Sequence, residues 1–89
     1  MEIRLQQVEK AALIALYNIC KGSPRCHVPL EAIQSKFKKD QRHKAKKAIR
    51  SLYSLGLINK HPTRGGMTYQ LTETGKKYAE EHLAEYLRR

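Results

Sequence analysis

Eighty-nine residues, 40% of them hydrophobic and 29% charged, have the size and composition of one small folded domain. No apolar run approaches the roughly 18 residues needed to cross a bilayer, and the opening MEIRLQQVEK is amphipathic and carries Glu2 and Glu9, which argues against a signal peptide and for an intracellular protein. The formal net charge of +10, with an isoelectric point near 9.9, argues for an acidic or polyanionic partner.

Leu5, Val8, Ala12, Leu16 and Ile19 recur at spacings of three and four, predicting a first helix over residues 2–20. Lys21-Gly22-Ser23-Pro24 then stops it. Ile14 and Tyr17 lie off that stripe and form a second, smaller apolar edge. Residues 25–28 are short enough for a single strand or a loop. Pro29 is suited to open a second helix, 29–38, with Leu30, Ile33 and Phe37 as its buried stripe.

Asp40 is the expected N-cap of a third helix, 40–55. At 100° per residue, Ala45, Ala48, Ile49, Leu52 and Leu55 fall on one face. His43, Lys46, Lys47, Arg50 and Ser54 fall on the opposite face, with Arg42 and Ser51 flanking it. Gly56 supplies the left-handed residue after the last turn.

A hairpin over 57–71 follows, with strands at 57–60 and 67–71; Met67, Tyr69 and Leu71 alternate as a half-buried strand should. Pro62 and Gly65-Gly66 are expected to keep the segment between irregular. Thr72 caps a final helix, 73–88, whose apolar stripe is Ala79, Leu83, Tyr86 and Leu87. The predicted fold is mostly α with a small β-hairpin, an α+β domain spanning residues 1–89 in the order helix, (strand), helix, helix, strand, strand, helix.

The charge is segregated. Residues 32–72 hold ten Lys or Arg against a single acid, Asp40, and so carry +9 of the +10. Cys20 and Cys26 are too few for a secreted disulfide framework, and with His27 they match no usual zinc spacing. A buried free thiol at Cys20 is the favoured reading, with a local disulfide as the alternative. No catalytic residues, metal ligands or cofactor are expected: the chain has no P-loop, GxSxG or HExxH motif, and its acids cluster on the last helix.

The order of elements is that of a winged helix-turn-helix, and SLYSLGLINKHPTRGGMTYQLTETG resembles the same region of MarR- and PadR-type transcription regulators. The matching parts are Leu55-Gly56-Leu57-Ile58, the basic glycine-containing wing, Tyr69-Gln70-Leu71-Thr72 and Gly75. The resemblance implies a double-stranded DNA-binding regulator, cytoplasmic and associated with the nucleoid, whose third helix reads the major groove.

The residues suited to that task are Arg42, His43, Lys46, Lys47, Arg50 and Ser54 on the helix, with the arginines suited to guanine and the lysines to phosphate. Lys36, Lys38 and Lys39 in the preceding turn are placed for the DNA backbone, and Lys60, His61 and Arg64 on a hairpin tip for the adjacent backbone or minor groove. Pairing of the first and last helices through Ile14, Tyr17, Tyr86 and Leu87 would make a homodimer suited to a palindromic site. The alternatives are a winged helix that binds structured RNA or the ribosome, and a protein-interaction module whose basic face is incidental; the scarcity of exposed aromatics disfavours single-stranded RNA.

Overall fold

The computed structural model describes residues 4–84. Among them are four α-helices, one 3-10 turn and three strands: α1 (Gln7–Cys20), β1 (His27–Pro29), α2 (Leu30–Gln34), the 3-10 turn (Lys39–Gln41), α3 (Arg42–Ser54), β2 (Ile58–Thr63), β3 (Gly66–Leu71) and α4 (Glu73–His82). The fold class is α+β. No helix among the described residues is long and apolar enough to cross a membrane.

The sheet is antiparallel, in the order β1-β3-β2. Its register sets Val28 opposite Tyr69, and Ile58 and Lys60 opposite Leu71 and Tyr69. One sheet face therefore meets the helices through Val28, Ile58 and Leu71, all buried. Leu13 and Leu16 of α1, Ile33 of α2, Ile49 and Leu52 of α3, and Ala79 with Leu83 at the end of α4 complete one continuous core.

Several predicted boundaries shift, each for a local reason. α1 starts at Gln7 rather than residue 2, because the Glu9 carboxylate accepts the Gln6 N–H at 2.8 Å and caps the first turn there. Leu5 is nonetheless buried, from an extended segment. At the other end α1 stops at Cys20 as expected, and both Lys21, with φ 52°, and Gly22, with φ 76°, are left-handed. Pro29 ends β1 with an extended ψ of 161° and immediately precedes α2, which lasts only five residues. Asp40 lies inside the 3-10 turn, so it does not cap α3.

Leu55 is 43% exposed: it follows the last helical turn, where the chain has already swung off the apolar face. Pro62 continues β2 opposite Met67, tolerated because β2 is an edge strand. Met67, Tyr69 and Leu71 do share a face, but Met67 extends past the core and is 43% exposed, whereas Thr68 on the outer face is 9% exposed. Cys20 is not a free thiol: it is bonded to Cys26, with their Cα atoms 5.4 Å apart. The predicted residues 85–88 of the last helix, Tyr86 and Leu87 included, lie outside the described residues.

The junction of α3, β2 and α4 is the tightest part of the chain. α3 ends in a Schellman motif, the Leu57 N–H reaching the Leu52 carbonyl at 3.0 Å and the Gly56 N–H that of Tyr53 at 3.1 Å. Gly56 takes the required positive φ of 76°. Thr72 caps α4 as the sequence predicts: its hydroxyl accepts the Gly75 N–H at 2.9 Å and donates to the Gly56 carbonyl at 2.7 Å. Gly75 packs on the Leu57 backbone, where an added Cβ would lie 1.8 Å from the carbonyl oxygen. Gly75→Ala must therefore displace backbone, and it is expected to cost at least about 1–3 kcal/mol, measured as a lower urea midpoint.

α1 and α4 are joined at the surface by Tyr17, whose hydroxyl donates to the Glu80 carboxylate at 2.6 Å. That bond, with smaller effects from burial and the carboxylate's charge, raises the tyrosine pKa above its ordinary value. A pKa raised on folding gives stability that is present below the unfolded value, about 10, and lost as pH rises through the folded value. Tyr17→Phe should therefore lower the urea midpoint at pH 8 and flatten its fall between pH 9 and 11, relative to the wild type.

Candidate nucleic-acid interface

α3 is two-sided. Ala45, Ala48, Ile49 and Leu52 are buried, and Arg42, His43, Lys46, Lys47, Arg50 and Ser54 are all exposed. α2 and α3 are set against each other by Gln34, whose side-chain amide donates to the Arg42 carbonyl at 3.0 Å. The chain between them carries Lys36, Lys38 and Lys39, all exposed.

The structure adds Lys44 to this set. It is exposed on the flank of α3 nearest α1. There Lys36, Lys38, Lys44 and Lys47 border a groove of about 720 Å³ floored by Val8, Phe37 and Ala48. Periodicity put Lys44 beside the apolar stripe, so it was not read as part of the front; its exposure depends on where α1 lies, which no local pattern encodes.

The cations stand at an unfavourable end of their own helix. Arg42 and Lys44 occupy the first turn of α3, where the helix dipole is positive, and no acid lies in that turn. Spacings of four pair Arg42 with Lys46, and Lys46 with Arg50, each a like-charge contact that opposes the helix. Of the nearby acids, Asp40 sits in the 3-10 turn and Glu9 accepts the Gln6 N–H.

Lys60, His61 and Arg64 do not share a tip. The two-residue turn is Arg64-Gly65, closed by the Thr63 hydroxyl donating to the Gly66 carbonyl at 2.8 Å. Lys60 and His61 are further back, inside β2, opposite Tyr69 and Thr68. The Lys60 ammonium lies 4.5 Å from the centre of the Tyr53 ring on α3, a cation–π contact joining hairpin to helix. On the other sheet face His61 stacks on His27 of β1, their ring centres 4.2 Å apart. The Thr68 hydroxyl between them donates to the His61 carbonyl and lies 3.1 Å from His27 Nδ1. These rings explain why Thr68 is buried on the outer face.

Tyr53, His27 and Thr68 were missed by the sequence reading, since each takes its role from a partner on another element: Tyr53 from Lys60 of β2, and His27 and Thr68 from each other and from His61 across the sheet. Of the predicted dimer residues, Ile14 is half-buried against the core and Tyr17 is bonded to Glu80 within the chain. No protein-family model matches the chain, and no curated protein matches it at a significant level.

The Tyr53–Lys60 contact gives a direct expectation. A double-mutant cycle of Tyr53→Leu and Lys60→Met should return a coupling of about 0.5–1 kcal/mol by urea unfolding, and Tyr53→Phe should keep it.

Proposed function

We propose that the protein is a winged-helix, double-stranded-DNA-binding transcription regulator rather than an enzyme. The observation that carries this reading is the exposed basic front of α3, which itself holds no acid, together with the exposed lysines of the preceding turn, where Asp40 is the single acid. An α-helix fits the major groove, and cations crowded at the positive end of a helix gain from a polyanion that relieves both their mutual repulsion and the dipole.

In this reading Arg42 and Arg50 contact base edges, while Lys46 and Lys47 meet phosphate. His43 and Ser54 complete the front. Lys36, Lys38, Lys39 and Lys44 hold the backbone on the α1 side. Arg64 at the turn reaches the neighbouring minor groove, with Lys60 and His61 holding the hairpin at its angle. No cofactor or metal takes part. The protein acts as a homodimer on a palindromic site, paired through Ile14, Tyr17, Tyr86 and Leu87, and is cytoplasmic and nucleoid-associated.

The test is selection of bound sequences from a random duplex pool, followed by titration of the enriched site. Affinity should fall by roughly 10³–10⁵ between about 50 and 200 mM salt if about six to ten phosphates are neutralised per dimer. Arg50→Ala should cost about 1–3 kcal/mol on the enriched site and relax its specificity, whereas Lys38→Ala and Lys44→Ala should weaken all duplexes alike. Equal losses for all three variants on every duplex would remove sequence reading, and preference for duplex RNA at the same salt would move the reading to RNA.

A further inference from the structure

β1 has three residues, too few to hold its place by ladder bonds alone. Its anchors are unusually specific. The Gln70 side-chain amide of β3 donates to the Pro24 carbonyl at 3.0 Å, in the loop before β1. His27 is stacked on His61 of the hairpin and lies 3.1 Å from the Thr68 hydroxyl. The remaining anchor is covalent: the Cys20–Cys26 bond spans six positions and fastens the residue before β1 to the last residue of α1. The loop it closes carries both of the chain's cysteines and the exposed cations Lys21 and Arg25.

We infer that Cys20 and Cys26 form a thiol–disulfide site that sets how firmly the hairpin is held, with a small thiol and its disulfide as the reacting partners. The two cysteines differ in access. Cys20 is buried at the end of α1, and Cys26 is half-buried between the exposed Arg25 and His27. The incoming thiolate therefore attacks Cys26 Sγ, forming a mixed disulfide and expelling the Cys20 thiolate, which takes a proton. A second thiolate attacks the small molecule's sulfur in that mixed disulfide and releases Cys26. The balance is one protein disulfide and two small thiols giving two protein thiols and one small disulfide, a two-electron exchange that runs backwards with the oxidised small molecule.

Opening the bond changes no residue of the basic front. It removes the covalent restraint on β1, which supplies the ring that supports His61 and covers Thr68. The outer-face support of the hairpin then rests on the Gln70–Pro24 bond, the short β1–β3 pairing and the His27 contacts alone, beside Tyr53–Lys60 and the β2–β3 ladder. The effect on DNA affinity rests on the duplex-binding reading above; the effect on the hairpin does not.

The experiment equilibrates the full chain in reduced and oxidised glutathione at a series of ratios and reads three quantities. Thiol alkylation gives the fraction reduced. Amide hydrogen exchange gives the protection of residues 66–71, and titration of one labelled duplex at fixed salt gives affinity. Reduction should raise exchange in 66–71 while protection in α3 persists, and should weaken duplex binding by roughly 5- to 20-fold, an ordinary size for coupling between sites. The Cys20→Ser, Cys26→Ser double variant should match the reduced protein in both buffers. Unchanged exchange in 66–71 when alkylation shows both thiols released would overturn the inference. So would exchange that rises equally throughout the chain, which marks global destabilisation instead. A chain that binds no duplex in either state removes the regulator reading alone, since exchange still decides the coupling.

Discussion

The backbone carbonyl of Leu57 is the point on which the arrangement turns. It follows the Schellman ending of α3, it accepts the Thr72 N–H at 3.2 Å, and Gly75 of α4 lies against it with no space for a side chain. One peptide unit thus fixes where α3 stops, where β2 leaves, where β3 arrives and where α4 starts. The angle between α3 and the hairpin follows from it, because β2 begins one residue later. A small domain with little core to spare gains orientation here from backbone contact rather than from side-chain volume.

The hairpin is then held along its length by contacts of different kinds on its two faces. On the helix side Lys60 meets the Tyr53 ring; on the outer side His61 meets His27. The sequence places both β2 residues at the tip; both are instead braces within the strand, leaving the turn itself to Arg64. This division has a physical basis. A two-stranded ribbon twists and is marginal by itself, so a hairpin that must keep a fixed angle to a helix needs side-chain anchors before its tip.

Local chemistry was legible in the sequence, and distant chemistry was not. The apolar back of α3 from Ala45 to Leu52, the Gly56 stop and the Thr72 cap each depend on residues within a few positions, and each is found where the pattern puts it. Failures came where the path of the chain or the placement of another element decides. Thr68 is buried because two histidines, 41 and 7 positions away, cover it. Leu55 continues the helical stripe in sequence but lies beyond the last turn, and Lys44 stands at a groove that exists only because α1 crosses nearby. The disulfide belongs to the same group: composition weighs compartment against it, whereas the turn at Lys21 brings the two cysteines within bonding distance.

The charge arrangement supplies the argument from stability to function. Like-charge pairs four apart oppose a helix by about 0.2–0.5 kcal/mol each, and cations in a first turn oppose its dipole by about 0.3–1 kcal/mol. α3 accepts both penalties at once, with Arg42 and Lys44 leading and Lys46, Lys47 and Arg50 following, and no acid of its own offsets them. Solubility does not require this, since the same number of lysines spread over α1 and α4 would serve it without the penalty. What sustains the helix is its back, where Ala45 and Leu52 are fully buried and Ala48 and Ile49 are nearly so. The core thus holds this helix against its own surface, and under the proposed DNA-binding function a bound polyanion would relieve that opposition and return it as affinity. The same reasoning explains why the braces matter. Under the same proposal a second contact at a fixed angle adds to the front, and Tyr53–Lys60, His27–His61 and the Leu57 junction are the contacts that hold the hairpin bearing Arg64 against α3.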